Sequence, residues 1–237
     1  MTQELLSNDA FIERLRDEGR RRYHDQHPFH QRMHAGELSR NQLRGWVLNR
    51  YYYQTRIPIK DAILISKSED PAFRRSWIRR IHDHDGTGTG ESEGGLAQWV
   101  RLGVGVGLRK EEIVSLEHVV PAARFACDAY VQLVRERPLV EAVASSLTEF
   151  FSPEIMSNRV KAWEKHYPWV DPGMLEYFRG RVVRARIDSQ EAIAFVVANT
   201  ATREIQERCV DALVTKCHIL WALLDAVSAA YPDESAS

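Results

Sequence analysis

Residues 73–86, FRRSWIRRIHDHDG, decide how the chain is read. Wound as a helix, Phe73, Trp77, Arg80, Ile81 and His84 share one stripe, at spacings of four, seven, eight and eleven. The stripe begins apolar and ends in a guanidinium and an imidazole. Gly86 and the TGTG after it stop the helix just past His84. Burying such groups unpaired costs several kcal/mol, so a core-facing stripe of this kind must meet something anionic. The alternative is a helix end that frays into water. The two readings separate on whether other helices carry similar polar groups on their apolar faces.

They do. Arg40 to about Ser66 reads as one long helix, capped by Ser39 and kinked at Pro58. On it Trp46, Arg50, Tyr53, Gln54 and Ile57 share a stripe, while Tyr51 and Tyr52 point elsewhere, as packing or dimer contacts. In the last helix, about Thr202 to Tyr231, Leu213, Lys216, Cys217, Leu220, Leu224 and Val227 form one face. Lys216 is the only charge in that row and is expected to face a carboxylate; a lone lysine could instead snorkel outward. Behind Asp171-Pro172, Tyr177 and Arg181 lie one turn apart, with Arg184 solvated further along. Glu149 sits half-buried in SSLTEFF, and Arg159 follows in the next segment; an ordinary ion pair is the plain reading of those two.

The remaining segments are helical as well. Ser7 or Asn8 caps a stripe of Phe11, Ile12 and Leu15 that runs toward Tyr23 and His24. Pro28 starts a short helix through Met33. Two modest helices follow at Gly95 to Val106 and Lys110 to His118, then one from Pro121 and one, LVEAVASSLTEFF, from Pro138. Further helices run from Pro153, from Pro172 through MLEYFRGRVVRA, and around Ala192 to Val197. Proline at so many helix starts is where its fixed φ and missing N–H fit best. No period-2 strand and no repeat stand out. The Gly-rich loop from Thr87 to Gly95 lacks the ending and the preceding strand of a phosphate loop. The expectation is an all-α bundle of about seven main helices in one domain over residues 1–237, with 232–237 a frayed tail.

The 237 residues carry a net charge of -1, so no overall field draws in nucleic acid or an acidic membrane. No apolar run approaches the roughly 20 residues of a membrane span, and no signal peptide is evident. The odd set Cys127, Cys209 and Cys217 argues against a disulfide framework, and a reducing cytoplasm is the expected home. The interior then gathers Arg50, Arg80, Arg159, Arg181 and Lys216, with His24 and His84 and the phenols of Tyr53 and Tyr177. Only Glu149 opposes them. Converging guanidiniums suit a ligand with several carboxylates or phosphates, and imidazoles and phenols can move protons. His82 and His84 project about 200° apart on a helix and cannot share a metal there. No Glu-x-x-His pair occurs, and cations stand where carboxylate ligands would be needed, so no metal is expected.

The segments YHDQHPFH, LNRYYYQTRIPIKDAI, HDHDG, FACDAYV, SSLTEFFSPEI, HYPWV, YFRGR and KCHILWALLDA resemble the pyrroloquinoline-quinone synthase family, over nearly the whole chain. That resemblance implies a heme-oxygenase-like, TenA-like bundle acting as a homodimer. It implies ring closure and O2-dependent oxidation of a reduced bicyclic amino-dione bearing three carboxylates, with release of hydrogen peroxide and with no metal or redox cofactor. It adds Tyr23, Tyr53, Gln54, Tyr130, Thr148 and Glu149 to the ligand pocket, makes His84 the first choice of base and His24 the second, and gives Arg181, Tyr177 and His84 the developing peroxide. Met156 departs from it, standing where some members have a ligand-touching histidine. The chain also ends too early for the carrier domain sometimes fused to the family. A di-iron oxidase and a thiaminase-like hydrolase of the same fold are the competing readings.

Overall fold

Capping residues and prolines set the helix starts. Ser7, Asp70 and Thr202 accept backbone N–H groups of their first turns, and Ser39 forms a reciprocal capping box with Gln42. Each such cap contributes about 1 kcal/mol. The structure is a computed structural model that describes residues 4–89 and 92–233. Its helices are α1 Asn8–Arg22, α2 Pro28–Ala35, α3 Arg40–Ser66, α4 Pro71–Asp85, α5 Gly94–Gly105 and α6 Lys110–Ser115. They continue with α7 Pro121–Glu136, α8 Leu139–Ser145, α9 Ser152–His166, α10 Glu176–Ala198 and α11 Arg203–Ala230. Three 3-10 turns join them, at His24–Gln26, Ser146–Phe150 and Pro172–Leu175. Seven of the helices (α1, α3, α4, α7, α9, α10 and α11) have 15 residues or more, which matches the expected bundle. No strand occurs among the described residues.

The long helix α3 is the axis. It runs unbroken through Pro58 and is buried on nearly every side, packing on α4, α5, α7 and α11. It does not rotate to the surface at Arg50. Tyr51 and Tyr52 prove to be packing residues, and the Tyr52 hydroxyl donates to Asp128 at 2.8 Å. Trp46 of α3 meets Trp99 of α5, Trp163 of α9 and Phe178 of α10 with ring centres 5.5, 6.1 and 6.3 Å apart. This aromatic floor draws on four helices, and each ring pair adds about 0.5–1.5 kcal/mol beyond its buried area. The closing helix α11 packs on α1, α7 and α8. Contrary to expectation, α11 is long and apolar enough to cross a membrane by length and composition alone, although Lys216 sits fully buried in its middle.

Three boundaries differ from the sequence reading. SSLTEFF does not continue a helix from Pro138. The chain tightens into the 3-10 turn Ser146–Phe150, which turns Thr148 and Glu149 inward. The two helices expected after Pro172 are one, α10, because Asp188 and Ser189 lie on its buried stripe between Ala185 and Ala192. The expected frayed tail falls partly outside the described residues, at 234–237; Asp233 accepts a hydrogen bond from Arg32.

Gly94 closes the loop that follows His84. Its φ is +79°, and an added Cβ would lie 2.3 Å from the Gly86 nitrogen and 2.5 Å from the His84 carbonyl oxygen. Gly88 has φ +71° with nothing within 4 Å. Gly88→Ala should therefore cost only the left-handed penalty, about 1 kcal/mol, and Gly94→Ala well above about 2 kcal/mol. Denaturant midpoints of the two variants check this, and equal losses would contradict the close approach.

Candidate active site

A cavity of about 60 Å³ lies between α3, α4, α10, α11 and the 3-10 turns. Tyr23, His24, Arg50, Tyr53, Gln54, His84, Thr148, Glu149, Tyr177 and Arg181 line it, together with Ile57, Ser152, Met156 and Leu220. The stripe read from residues 73–86 is buried at Phe73, Trp77, Arg80 and His84, while His82 faces solvent. The two-helix-turn spacing therefore delivered His84 inward as expected.

Four of the expected ligand contacts stand back from the cavity. Arg80, Tyr130, Arg159 and Lys216 do not line the cavity; each stands one layer behind it. Arg80 lies on the Trp77 ring at 4.0 Å and donates to Glu149 at 2.9 Å, so its charge is taken up by the protein. Arg159 sits over Trp46 at 4.9 Å, reaches the Met156 sulfur at 3.7 Å and meets the Nε2 of His30 at 3.3 Å. Lys216 donates to the Tyr53 hydroxyl at 2.9 Å, with Nζ 3.3 Å from the centre of the Tyr130 ring. The Tyr130 ring stacks on Tyr53, centres 6.3 Å apart.

Charge is sorted across the cavity. On one side Glu149 and Asp188 take Arg80 and Arg181, the latter at 3.5 and 3.3 Å. Glu149 is thus not the only opposing acid, and its partners are not Arg159. Arg184, expected in solvent, pairs with Asp83 at 3.4 Å. Behind these lies a second network that the sequence reading missed: Lys60 and Asp61 pair at 2.6 Å, Trp77 donates to Asp61, and Lys60 donates to Ser146 at 3.1 Å. The signal available was a Lys-Asp pair set inside the apolar run IPIKDAIL.

On the other side no carboxylate among the described residues pairs with Arg50, Arg159 or Lys216. The carboxylate expected beside Lys216 is not supplied by the protein. Aromatic faces stand in for it. Arg50 lies 3.8 Å above the Tyr53 ring, and Lys216 lies over Tyr53 and Tyr130. Cation–π contacts of this kind contribute about 1–2 kcal/mol when dry, less than burial of the charges costs. Burial, then the neighbouring Arg50, accordingly pulls Lys216 well below the usual lysine range and Arg159 down to about 9.

The proton-carrying groups are poised apart. Burial, then Arg181, lowers His84 to about 3, and burial with Arg50 pushes His24 well below the ordinary imidazole value. Burial raises the phenols of Tyr23, Tyr53 and Tyr177. At neutral pH the imidazoles are therefore neutral and the phenols keep their protons. The Tyr177 hydroxyl donates to Gln54 at 2.9 Å, and the His84 Nδ1 lies 3.0 Å from the Arg80 carbonyl oxygen. Among the described residues no group of three or more His, Cys, Asp or Glu side chains is placed to hold a metal ion.

A helical bundle that closes around a small cationic cavity defines a class, and sequence comparison supplies its family. The model of the TENA/THI-4/PQQC family matches residues 12–226, and the chain belongs to that family. A pyrroloquinoline-quinone synthase of Pseudomonas aeruginosa is 46% identical over 231 residues, covering 98% of this chain and 91% of the relative. One of Rhizobium meliloti is 49% identical over 222 residues, covering 94% and 86%. In fold, the chain is similar to a domain of unknown function with a heme oxygenase-like fold from Shewanella denitrificans. The TM-score is 0.75 at 12% identity, covering 96% of this chain and 94% of that one.

The depressed imidazoles set a pH dependence. His24, His30 and His84 bind protons in the unfolded chain below about pH 6.5 but stay neutral when folded. Their cost is absent above that pH and grows as pH falls, by about 2 kcal/mol per histidine at pH 5. Asp188, raised to about 6 by burial and then by Glu149, partly opposes this. Denaturant unfolding should show lower stability at pH 5 than at pH 7; an unchanged free energy would contradict the buried neutral imidazoles.

Proposed function

We propose that this chain is a pyrroloquinoline-quinone synthase. It closes a further ring on a reduced bicyclic amino-dione bearing three carboxylates and oxidises the product with O2, releasing hydrogen peroxide, without a metal or redox cofactor. The observation that carries the reading is the set of buried cations, Arg50, Arg159 and Lys216, left without protein anions beside the cavity. A molecule with several carboxylates supplies the missing charges, and bidentate guanidinium forks fit them. The names of the relatives support the same chemistry.

A cavity of about 60 Å³ holds a few waters; a drug-sized ligand occupies several hundred. Substrate entry therefore spreads the walls, and the cations one layer back become reachable as the front layer moves. Bound carboxylates then add negative charge near His84. Burial and Arg181 are what hold its pKa down, so the substrate itself shifts that imidazole back toward the range of a working base. Deprotonated by His84, the reduced ring is electron-rich enough to pass electrons to O2. Superoxide or peroxide formed beside it is stabilised by the Arg181 charge and the Tyr177 hydroxyl. Glu149 and Asp188 hold Arg181 in place for this.

The di-iron and thiaminase-like alternatives draw no support from the charge pattern. The first needs clustered carboxylates and the second an acidic pocket with a reactive thiol, whereas the cysteines here are buried and pushed up to about 12. We place the enzyme in the cytoplasm, in keeping with its free thiols, and as a homodimer, which light scattering tests.

Protein, reduced precursor and O2 should yield the quinone spectrum. His84→Ala should lower the rate at least about 100-fold while product affinity stays within about threefold. Unchanged turnover would remove His84 as base. Tyr177→Phe should slow the O2-dependent phase about tenfold or more with little effect on binding, and equal losses would count against that division. Lys216→Met should give a protein about 1–2 kcal/mol more stable without ligand yet weaker in quinone binding; a loss of both would contradict an uncompensated cation.

A further inference from the structure

His24 and His84 both line the cavity, and both have their Nδ1 committed inside the protein. The commitments are opposite in kind. The His84 Nδ1 faces the Arg80 carbonyl oxygen at 3.0 Å. A carbonyl can only accept, so that nitrogen carries the proton and Nε2 presents a lone pair. His24 is governed by a longer chain. Arg159, which can only donate, meets Nε2 of His30 at 3.3 Å. That Nε2 is therefore an acceptor, and the proton of His30 sits on Nδ1. The same Nδ1 lies 2.9 Å from the His24 carbonyl oxygen, a second and independent requirement for a proton there. It also lies 3.0 Å from the Nδ1 of His24, which must then be the acceptor. His24 is left with its proton on Nε2.

The ring hydrogen bonds of His24 and His84 all fall on Nδ1, and neither Nε2 is a fully buried nitrogen without a partner, so both are accessible on rings that line the cavity. His30 itself is fully buried, does not line the cavity and has no part in the reaction described above.

We propose that His30 is a positioning residue. With Arg159 it locks His24 as a hydrogen-bond donor toward an oxygen acceptor of the substrate, a carboxylate or carbonyl, while the Arg80 carbonyl leaves His84 as the proton acceptor. His24 is then not a second base, and the two imidazoles are not interchangeable. The role given to His24 rests on the substrate reading above; the proton positions do not.

Long-range ¹H–¹⁵N correlation spectra of the intact protein, labelled at histidine nitrogens, read each tautomer at pH 7. The expected pattern is protons on Nδ1 of His84 and His30 and on Nε2 of His24. A proton on Nδ1 of His24, or on Nε2 of His30, overturns the proposal. In the variants, His30→Asn places an amide N–H near the lost Nδ1–H, and His30→Leu removes the donor. His24 should keep its single tautomer in His30→Asn and show averaged shifts of both tautomers in His30→Leu. Affinity for pyrroloquinoline quinone should fall less than twofold in the first and about tenfold in the second. Equal tautomer populations and equal affinities in the two variants overturn the proposal. The expected tautomers in a wild-type protein that fails to bind the quinone would sink the substrate reading alone.

Discussion

Two guanidiniums, on Arg50 and Arg159, and the amine of Lys216 are buried in this bundle with aromatic rings rather than anions beside them. Other features of the site follow from that constraint. Guanidiniums do not lose their protons at neutral pH, so the protein cannot escape the cost by neutralising Arg50 and Arg159. It can only spread the cost over π faces, a thioether and a neutral imidazole. In the proposed function a ligand repays that cost by bringing several negative charges at fixed separations.

The opposite wall obeys ordinary rules. Arg80 and Arg181 share Glu149 and Asp188, and that paired cluster is a rigid reference for the unpaired one. Sorting the charges in this way separates two tasks. In the proposed function the unpaired cations take the substrate's carboxylates, and Arg181, already held by Glu149 and Asp188, takes the charge of reduced oxygen. The same wall also holds His84 as a weak base. Its proton affinity is low because it is buried and, after that, because Arg181 lies close by.

Much of this was legible in the chain. A helix face reads clearly when a polar residue interrupts an apolar row, and Arg50, His84, Arg181 and Lys216 all announced themselves so. What the sequence could not convey was depth. Arg80 and Lys216 occupy equivalent positions on their stripes, yet one is spent on Glu149 and the other has no protein anion, because that depends on which helix faces it. The sequence reading ends one helix at Ala185 and takes up the next around Ala192; Asp188, held by Arg80 and Arg181, lies between them on one continuous helix. His30 entered the sequence reading only as the last letter of YHDQHPFH and without a role, because that role arises only where α2 packs on α9 and Arg159 reaches its ring.

A structure of the protein with pyrroloquinoline quinone bound tests the central claim most directly. The account expects carboxylate oxygens of the quinone within hydrogen-bond reach of Arg50, Arg159 and Lys216, with Arg80 still held by Glu149 behind the ligand. A quinone seated elsewhere, or the three cations turned away from it toward carboxylates of the protein, would contradict it.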